Sequence, residues 1–374
     1  MARTAIYFDA GTVTHAANRP SELMANDRFF SSEPNPRAEE LSQAPVEDWI
    51  DNLRLTRCIA KGAWGAVFTC ADARYCVKVP LSVAVPSLPA RLKALRPASR
   101  LRRWQFMLEC RNAELILEPP EARALRHTKR PGAPLCSITP SQHAQLVSAV
   151  RRFRAHPSYA HLHQILHFDA RLPVLVSARA DGTVRDIMTR TPERLDWDLW
   201  ATIARHVGSA LQFIEERAPI VHLDIKPENV FFHVSRRAHF CLGDYGICAP
   251  KAQSLMEPER MNGSGLYNPP MSKRRAWQDA TARCQSAYQF FAMMLDLIRF
   301  KDGFATAPAS LGDASTVEER ALGRLKQLLG KRNHDENALG CLVEAFGVAP
   351  AAVPDVLFGR FLPLFFKQTP ATDG

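Results

Sequence analysis

Residues Ile220–Phe232, with the sequence IVHLDIKPENVFF, place the polar segment His222–Asn229 between two apolar runs. Short apolar runs of this kind are typical of buried strands, so the polar residues between them are expected in a tight loop. There a carboxylate (Asp224), an ammonium (Lys226) and an amide (Asn229) can converge on one small volume. This set suits phosphoryl transfer, in which the carboxylate orients a hydroxyl and accepts its proton, the lysine stabilises charge and the amide holds a metal ion. The alternative is an exposed turn with ordinary polar residues.

Around this stretch the chain divides into a β-rich first part and a helical second part, which join near residue 180. Runs of β-forming residues precede that point, and apolar residues at helical spacing follow it, from Leu199 to Ile214. We therefore expect an α+β fold of two lobes, with a ligand-binding cleft between them. The predicted units are a mobile arm at 1–48, a first lobe at 49–180 with a basic, helical insertion at about 84–140, and a second lobe at 181–374 with a divergent tail.

The composition excludes several classes of protein. The net charge is +10, and 46% of the residues are hydrophobic, which excludes a wholly disordered chain. Nine cysteines without a C-x-x-C pair argue against a disulfide scaffold and favour an intracellular protein, cytoplasmic or nuclear. No apolar run approaches the ~18 residues of a membrane span. Basic clusters such as Arg91–Arg103 are interpreted as solvated helix faces, because no nucleic-acid fold motif accompanies them. The oligomeric state stays open.

Three further motifs with phosphate- or metal-binding chemistry lie before and after the polar loop. Asp244-Tyr245-Gly246 begins 15 residues after Asn229 and offers a second carboxylate for Mg²⁺. Residues 59–67 read IAKGAWGAV, and glycines in such a loop let the backbone fold closely over phosphates. Lys78 lies 13 residues beyond Gly65 in an apolar run, where its ammonium needs an anionic partner. With these motifs, residues from about 50 to 300 resemble a eukaryotic-type protein kinase.

The resemblance implies a bilobal protein-kinase-like fold that binds ATP and Mg²⁺ and acts on a protein substrate. In such an enzyme Asn229 and Asp244 would hold Mg²⁺, whereas Asp224 and Lys226 would act in catalysis. The Lys-Pro-Glu-Asn form of the loop resembles serine/threonine kinases rather than tyrosine kinases. We therefore expect transfer of the γ-phosphoryl group of ATP to a protein hydroxyl.

The resemblance also places residues around the nucleotide. Val67 would pack on the adenine, and Val176 would lie at the back of its pocket. Backbone groups from Ser177 to Arg179 would bond the adenine edge. Asp181 would reach the ribose, unless it only forms an Asp-Gly turn. The full set expected at the nucleotide is Ala60, Lys61, Gly62, Gly65, Val67, Lys78, Glu121, Val176, Ser177, Arg179 and Asp181.

The glutamate that should pair with Lys78 is ambiguous in the sequence. The helical segment 141–155, just before His156-Pro157, contains no acidic residue. An earlier helix offers Glu121, which lies ten residues before Pro131 and has a spacing that suits the family. Glu121 is therefore the favoured partner, with Glu109 and Glu114 as further options. A solvated helix face is the alternative for each of them.

Several positions depart from the family pattern. Residues 263–270 resemble the end of an activation segment, but Met271 stands where a glutamate usually anchors that segment through an ion pair. Leu223 replaces an arginine that commonly receives a regulatory phosphate. Ser286 occupies roughly the place of a usual aspartate. In its divergence the sequence resembles kinases of large DNA viruses, such as herpesviruses. A viral origin would place the protein in a host cell.

Two other functions compete with a protein kinase. The ambiguous glutamate and the residue at Met271 are compatible with a pseudokinase scaffold that binds nucleotide or partner proteins without transfer. A kinase-like small-molecule phosphotransferase is the second alternative, although these enzymes rarely keep Lys-Pro-Glu between the aspartate and the asparagine. Nucleic-acid binding through the arginine clusters is not favoured. The substrate and the regulator are left open.

Histidines also recur at close spacing, at His161, His163 and His167. Metal sites in proteins use such spacings, but no cysteine or carboxylate cluster accompanies these three in the sequence. Core or surface roles are therefore the favoured interpretation for them.

Overall fold

The computed structural model of the chain describes residues 7–8, 54–61, 65–70, 74–80, 100–127, 140–169, 174–234, 238–255, 263–301 and 336–366. The structural statements that follow concern these residues. Nearly all of the predicted arm at 1–48, Gly62 of the glycine loop and most of the predicted tail lie outside them. Within the described ranges, no helix combines the length and the apolar character that a membrane crossing requires.

A six-stranded sheet forms the first lobe, in the spatial order β1-β2-β3-β4-β6-β5. Its strands are β1 (Tyr7–Phe8), β2 (Arg54–Lys61), β3 (Gly65–Cys70), β4 (Tyr75–Pro80), β5 (Ile165–Asp169) and β6 (Val174–Ala178). The pairing of β1 with β2 is parallel, and all other neighbours are antiparallel. Tyr75, Cys76 and Val77 of the inner strand β4 are buried. The next residue, Lys78, therefore lies at the border of an apolar core, as its apolar flanks predict.

Three helices separate β4 from β5 in the chain: α1 (Arg100–Leu117), α2 (Pro120–His127) and α3 (Pro140–Arg154). Helix α1 buries Cys110, Ala113 and Ile116, which lie three residues apart and therefore on one helical face. This helix packs against β4 and β5 of the sheet and against the strand Ile220–His222 of the second lobe. Part of the segment predicted as an insertion thus belongs to the core between the lobes.

The second lobe is mainly helical. Its helices are α4 (Val184–Arg190), α5 (Trp197–Arg217), α6 (Ala282–Lys301), α7 (Glu336–Ala345), α8 (Val353–Asp355) and α9 (Leu362–Phe366), and a π-helical segment, Val356–Phe361, joins the last two. Asp196 caps α5 by accepting a hydrogen bond from Leu199 N at 2.7 Å, an interaction worth typically about 1 kcal/mol. Residues 290–295 of α6 are buried without interruption, which marks α6 as a central core helix. An antiparallel sheet and a helical lobe confirm the predicted α+β class.

Short strands position two loops at the border of the lobes. They are β7 (Gly182–Thr183), β8 (Ile220–His222), β9 (Val230–Val234), β10 (Ala238–Leu242) and β11 (Cys248–Pro250). The end of β10 pairs with the start of β9 through Leu242 and Val230, and β8 pairs with β11 through His222 and Cys248. Each of the two loops, β8–β9 and β10–β11, therefore starts beside the end of the other. These loops carry the two aspartates on which the sequence analysis depends.

Candidate active site

The β8–β9 loop brings its predicted catalytic groups together. Lys226 Nζ lies 2.6 Å from Asp224 Oδ2. Asn229 Nδ2 donates to the same carboxylate oxygen at 2.9 Å and to the main-chain oxygen of Asp224 at 2.7 Å. Asp224 is only 6% exposed, so these bonds stabilise a carboxylate that burial alone would penalise. Because the Asn229 nitrogen is directed at Asp224, its amide oxygen is the group left for a metal ion.

His222 joins the two loops. Its Nδ1 accepts a hydrogen bond from Asp224 N at 3.1 Å, so the neutral ring carries its proton on Nε2. Nε2 lies 3.1 Å from Gly243 O and donates to it. Burial lowers the pKa of His222, which is fully buried, and the ring is therefore neutral near pH 7. The main chain before Asp244 is thereby fixed relative to Asp224.

A second polar cluster combines Lys78, Glu109 and Asp244. Lys78 Nζ lies 2.8 Å from Glu109 Oε1 and 3.0 Å from Asp244 Oδ1. Burial would lower the pKa of Lys78, but the two carboxylates outweigh it and raise the pKa. Burial would raise the pKa of Asp244, and Lys78 instead holds it below its usual value. For Glu109 burial dominates over Lys78 and raises the pKa to about 7.

The backbone at Asp244 has an unusual conformation. Its φ is 60°, in the left-handed region that residues other than glycine seldom adopt. Aspartate tolerates this region better than most residues do, and such strain is often found at functional sites. The conformation accompanies a carboxylate turned toward Lys78, and it agrees with the predicted use of Asp244 as a metal ligand.

The partner of Lys78 corrects the prediction made from the sequence. Glu109 of α1, and not Glu121, forms the ion pair. Glu121 lies in the first turn of α2 and is exposed. The reason is the packing of α1, whose inward face carries Glu109 beside β4, whereas α2 begins only after the chain has left the sheet. The positions of buried residues along a helix decide this point, and the spacing from the following prolines does not.

Tyr245, which follows Asp244, is anchored on both sides. Its main-chain oxygen accepts a hydrogen bond from Asn112 Nδ2 of α1 at 2.8 Å. Its hydroxyl lies 3.0 Å from both His163 O and Leu242 O. The family pattern has phenylalanine here, and the carbonyl pair explains how a buried tyrosine replaces it without leaving a polar group unpaired. Helix α1 thus holds both Lys78 and the loop of Asp244.

The segment predicted to end an activation segment contacts the catalytic loop. Ser264 N donates to Asp224 Oδ1 at 2.9 Å. Gly263 has a φ of 88°, and a Cβ at this position would lie 2.0 Å from Leu223 O, so the close approach requires glycine. Leu223 itself is buried with Val221, Ala249 and Ala282. An apolar side chain thus fills the place of the arginine that commonly receives a phosphate.

Sequence reasoning missed the residues that support the loop from below. Gln289 of α6 donates to Leu223 O at 2.9 Å and accepts from Ile225 N at 3.2 Å. The same amide donates to Asn268 Oδ1 at 2.8 Å, and Gln285 donates to that oxygen at 2.9 Å. Ser286, which occupies roughly the place of a usual aspartate, is buried on the same helix. A buried glutamine in an apolar helix was the signal that could have identified Gln289.

A second missed network links the loop to the segment around residue 267. Arg185 of α4 donates to Glu228 Oε1 at 2.8 Å and to the Tyr267 hydroxyl at 2.9 Å. Tyr267 in turn donates to Asp296 Oδ2 at 2.8 Å. Asp296 lies in α6 and is fully buried. This chain of bonds ties the segment to the helical core close to Met271, where the family's anchoring glutamate is absent.

Among the residues predicted at the nucleotide, the strand positions lie around Lys78. Val67 is opposite Lys78 in the β3–β4 pairing and opposite Ala60 in the β2–β3 pairing. Lys61 ends β2 and Gly65 begins β3, and Gly62 lies between them outside the described residues. Their contacts with ATP remain predictions.

The predicted hinge is partly engaged in other bonds. Val176 is fully buried and pairs with Val77, and Ser177 pairs with Cys76. Arg179 N donates to Arg74 O at 2.7 Å, so this amide is already used and the prediction that it bonds adenine is not supported. Asp181 Oδ2 accepts from Val234 N of β9 at 2.7 Å, so this oxygen is engaged with a strand, and ribose binding by Asp181 stays a prediction.

The oxygen donors in the cleft suit Mg²⁺. The carboxylate of Asp244 and the amide oxygen of Asn229 are the hard ligands that this ion prefers, and both belong to loops that His222 joins. A cation at these oxygens would add to the positive charge that Lys78 supplies. The arrangement can therefore hold a metal-bound polyphosphate beside the Asp224 carboxylate.

Comparison with known proteins adds short segments of similarity. No family model matches the chain. Ribosomal protein S6 kinase alpha-4 of Mus musculus is 30% identical over 114 residues, covering 30% of this chain and 14% of that protein. Serine/threonine-protein kinase ULK3 of Xenopus laevis is 30% identical over 118 residues, covering 32% of this chain and 23% of that protein. Mitosis inhibitor protein kinase SWE1 of Saccharomyces cerevisiae is 37% identical over 68 residues, or 18% of this chain and 8% of that protein.

The chain thus spans less than a quarter of the length of these relatives. Among solved structures, the structure of vaccinia related kinase 3 aligns with 82% of this chain and 86% of that chain, with a TM-score of 0.47 and 11% identity. The predicted resemblance to kinases of large DNA viruses stays a prediction.

Proposed function

We propose that the chain is a divergent protein kinase of the eukaryotic type and that it transfers the γ-phosphoryl group of Mg-ATP to a serine or threonine hydroxyl of a protein. One observation carries this proposal: two aspartates far apart in the chain lie on adjoining loops, each beside a lysine. Lys226 is 2.6 Å from Asp224, and Lys78 is 3.0 Å from Asp244. Phosphoryl transfer needs such a pairing of proton acceptor, metal ligand and cations.

Mg-ATP supplies the transferable group and the charge of the metal ion. For its own part, the chain uses Asp224 to orient the acceptor hydroxyl and to take its proton. Lys226 lies within hydrogen-bond distance of that carboxylate and balances the negative charge of the transfer. Asn229 keeps the carboxylate in place through its nitrogen and offers its oxygen, together with Asp244, to the metal ion.

Asp224 keeps the capacity for this role although Ser264 N already donates to one of its oxygens. An ionised carboxylate has about four lone-pair sites, and the described protein donors occupy three of them, from Ser264, Lys226 and Asn229. A hydroxyl proton can therefore still be accepted. These bonds also fix the carboxylate orientation, which lowers the entropic cost of aligning the acceptor.

A catalytically inactive scaffold is the second candidate function, favoured by two specific observations. The Arg179 amide predicted to bond adenine is engaged with Arg74, and Met271 replaces the usual anchoring glutamate. Against it stand the short, charge-assisted contacts of Lys78 with Asp244 and of Lys226 with Asp224, because partly buried charges that serve no ligand are costly.

Transfer of radiolabel from ATP to protein tests the proposal. The full chain would be incubated with labelled Mg-ATP and a generic protein acceptor, beside the variants Asp224→Asn and Asp198→Asn. Loss of a general base lowers turnover by about 10²–10⁴-fold, and we expect that loss for Asp224→Asn. Asp198 is exposed on α5, so its variant is the matched control and should retain the activity.

The outcomes separate the candidates. Equal labelling by the chain and by Asp224→Asn would contradict the proposed role of Asp224. Nucleotide binding without transfer in either protein would favour the scaffold. Transfer to an aminoglycoside-like acceptor without protein labelling would favour a small-molecule phosphotransferase, the other alternative from the sequence.

A further inference from the structure

Three histidines from different elements meet outside the candidate active site. His161 ends the 3₁₀ helix Pro157–His161, His206 lies in α5 and His239 lies in β10. The ring centroids are 4.3 Å apart for His161 and His206, 4.6 Å for His161 and His239, and 5.1 Å for His206 and His239. One ring nitrogen from each residue lies within 4.8 Å of the others. His161 thus gains partners in space that its neighbours in the sequence did not indicate.

The main chain fixes the proton position on two of the rings. His239 Nε2 lies 2.7 Å from Ala160 O and donates to it, because a carbonyl can only accept. His239 Nδ1 therefore carries a lone pair, and this buried atom has no hydrogen-bond partner. His161 Nδ1 lies 3.4 Å from Phe240 O, which leaves the lone pair of this ring on Nε2. Metal-binding histidines usually donate their second nitrogen to a carbonyl in this way.

The third ring, His206, accepts a hydrogen bond from the main chain instead of donating one. His206 Nδ1 accepts a hydrogen bond from Phe240 N at 3.2 Å, so the neutral ring carries its proton on Nε2. To join the other two as a ligand, His206 must give up this relatively long bond, either by binding through Nδ1 itself or by moving its proton from Nε2 to Nδ1, which can then no longer accept from Phe240 N. It is therefore the residue that a bound ion would rearrange. His161 is partly exposed and offers an entry path from solvent.

All three imidazoles are neutral near pH 7. Burial, followed by the neighbouring His239, lowers the pKa of His161 to about 3. Burial also lowers the pKa of His206, with smaller contributions from His161 and His239, and it lowers the pKa of His239. Protons therefore do not compete with a cation for the ring nitrogens. A stack of three neutral histidines with an unpartnered, buried nitrogen is otherwise unfavourable, because a buried polar atom without a partner destabilises the fold.

We propose that His161, His206 and His239 bind one divalent transition-metal ion of the zinc class. Imidazole nitrogens suit zinc, and three of them leave a fourth tetrahedral position for water. Among the described residues, these three histidines form the one group of three or more side chains that could bind a metal ion together. The proposal is independent of the proposed kinase activity, because the hydrogen bonds and ring contacts given above for the three rings involve none of Lys78, Asp224 and Asp244.

The ion would connect elements of both lobes. His161 lies four residues before β5 of the first lobe, whereas His206 and His239 belong to α5 and β10 of the second. Leu162 bridges to Leu242, the last residue of β10, and His163 N donates to Leu242 O at 2.8 Å. A metal ion here would stabilise this junction, only a few residues before Asp244.

Zinc titration of the chelator-stripped full chain tests the site. ZnCl₂ would be titrated in competition with a chromophoric chelator, in the Asp244→Asn background so that the cleft does not contribute a site. We expect a site that weakens by more than about 100-fold in His161→Gln and in His239→Gln, since even loss of a second-shell partner costs about 10–100-fold. His127→Gln, at the end of α2, a helix that carries none of the three rings, is the matched control and should bind as the parent does.

Unchanged zinc affinity in both cluster variants would overturn the proposal. A measurement on the parent protein does not depend on the folding of any variant: zinc-edge X-ray absorption should show three imidazole nitrogens at about 2.0–2.1 Å. A spectrum dominated by sulfur or by carboxylate oxygen would also overturn it. Zinc should further raise the melting temperature of the parent but not of His161→Gln.

Discussion

Two polar clusters lie on opposite sides of the β8–β9 loop, and they are built from different chemistry. On the cleft side, Lys78 pairs with the carboxylates of Glu109 and Asp244. Beneath the loop, the neutral amides of Gln289 and Asn268 hold the main chain. The cleft cluster is made of charges that a phosphate ligand can use. The supporting cluster has only to fix a backbone.

The difference indicates which departures from the resembled family pattern this fold can accommodate. An amide both donates and accepts, so Gln289 can satisfy Leu223 O and Ile225 N together without burying a charge. Replacing a buried charge by neutral groups of fitting shape is often neutral or stabilising. A charge that contacts the phosphates has no such substitute, because its role depends on the charge itself.

Gln289→Leu breaks the supporting cluster and should have the largest effect on stability. The change leaves Leu223 O and Ile225 N buried without partners, each at a cost of about 1–3 kcal/mol. We therefore expect the free energy of unfolding to fall by about 2–4 kcal/mol. Denaturant unfolding of the full chain measures this. Gln212→Leu is the matched control, because the recorded side-chain bond of Gln212 is to Glu216 on an exposed face. Its free energy of unfolding should change by less than about 0.5 kcal/mol.

If both glutamine variants unfold alike, the amide network does not support the loop. A second readout distinguishes anchoring from general stability: Gln289→Leu should also slow phosphoryl transfer at temperatures where it is fully folded, because the Asp224 carboxylate loses its fixed main chain.

Glu109→Gln tests the cleft cluster against the prediction from the sequence. Hydrogen bonds to charged groups contribute about 1.5–3 kcal/mol, so loss of the charged partner of Lys78 should lower kcat/KM by about 10–100-fold. Glu121→Gln is the matched control, since this glutamate is exposed on α2, and its kcat/KM should stay within about twofold. A loss in Glu121→Gln with none in Glu109→Gln would contradict the pairing in the structure.

Local sequence patterns were sufficient for much of this fold. The apolar runs on both sides of Asp224 predicted strands and a loop, and the structure has β8 and β9 there. The helical segment expected at 141–155 is α3, Pro140–Arg154, with both ends within one residue. Lys78, Asp224 and Asp244 were found because each belongs to a short motif whose chemistry can be recognised without tertiary structure.

The rest depended on packing between distant segments. Glu109 and Glu121 both lie on helices in a basic, proline-containing region, and only the docking of α1 on β4 selects Glu109. In the same way, only the packing of α6 beside Leu223 shows the supporting role of Gln289. The histidine cluster joins residues from three elements, so no spacing along the chain could reveal it.

Tyr245→Phe should have the smallest effect of the three variants. It tests whether the tyrosine hydroxyl contributes to the cleft cluster or only to its support. The hydroxyl bonds to main-chain oxygens, and its loss should cost about 0.5–1.5 kcal/mol of stability. Since Asn112 still holds the main chain through Tyr245 O, Lys78 and Asp244 should keep their contact and kcat/KM should change by less than about threefold. A large loss of activity with unchanged stability would place the hydroxyl with the charges of the cleft, and the division between the two clusters would then fail.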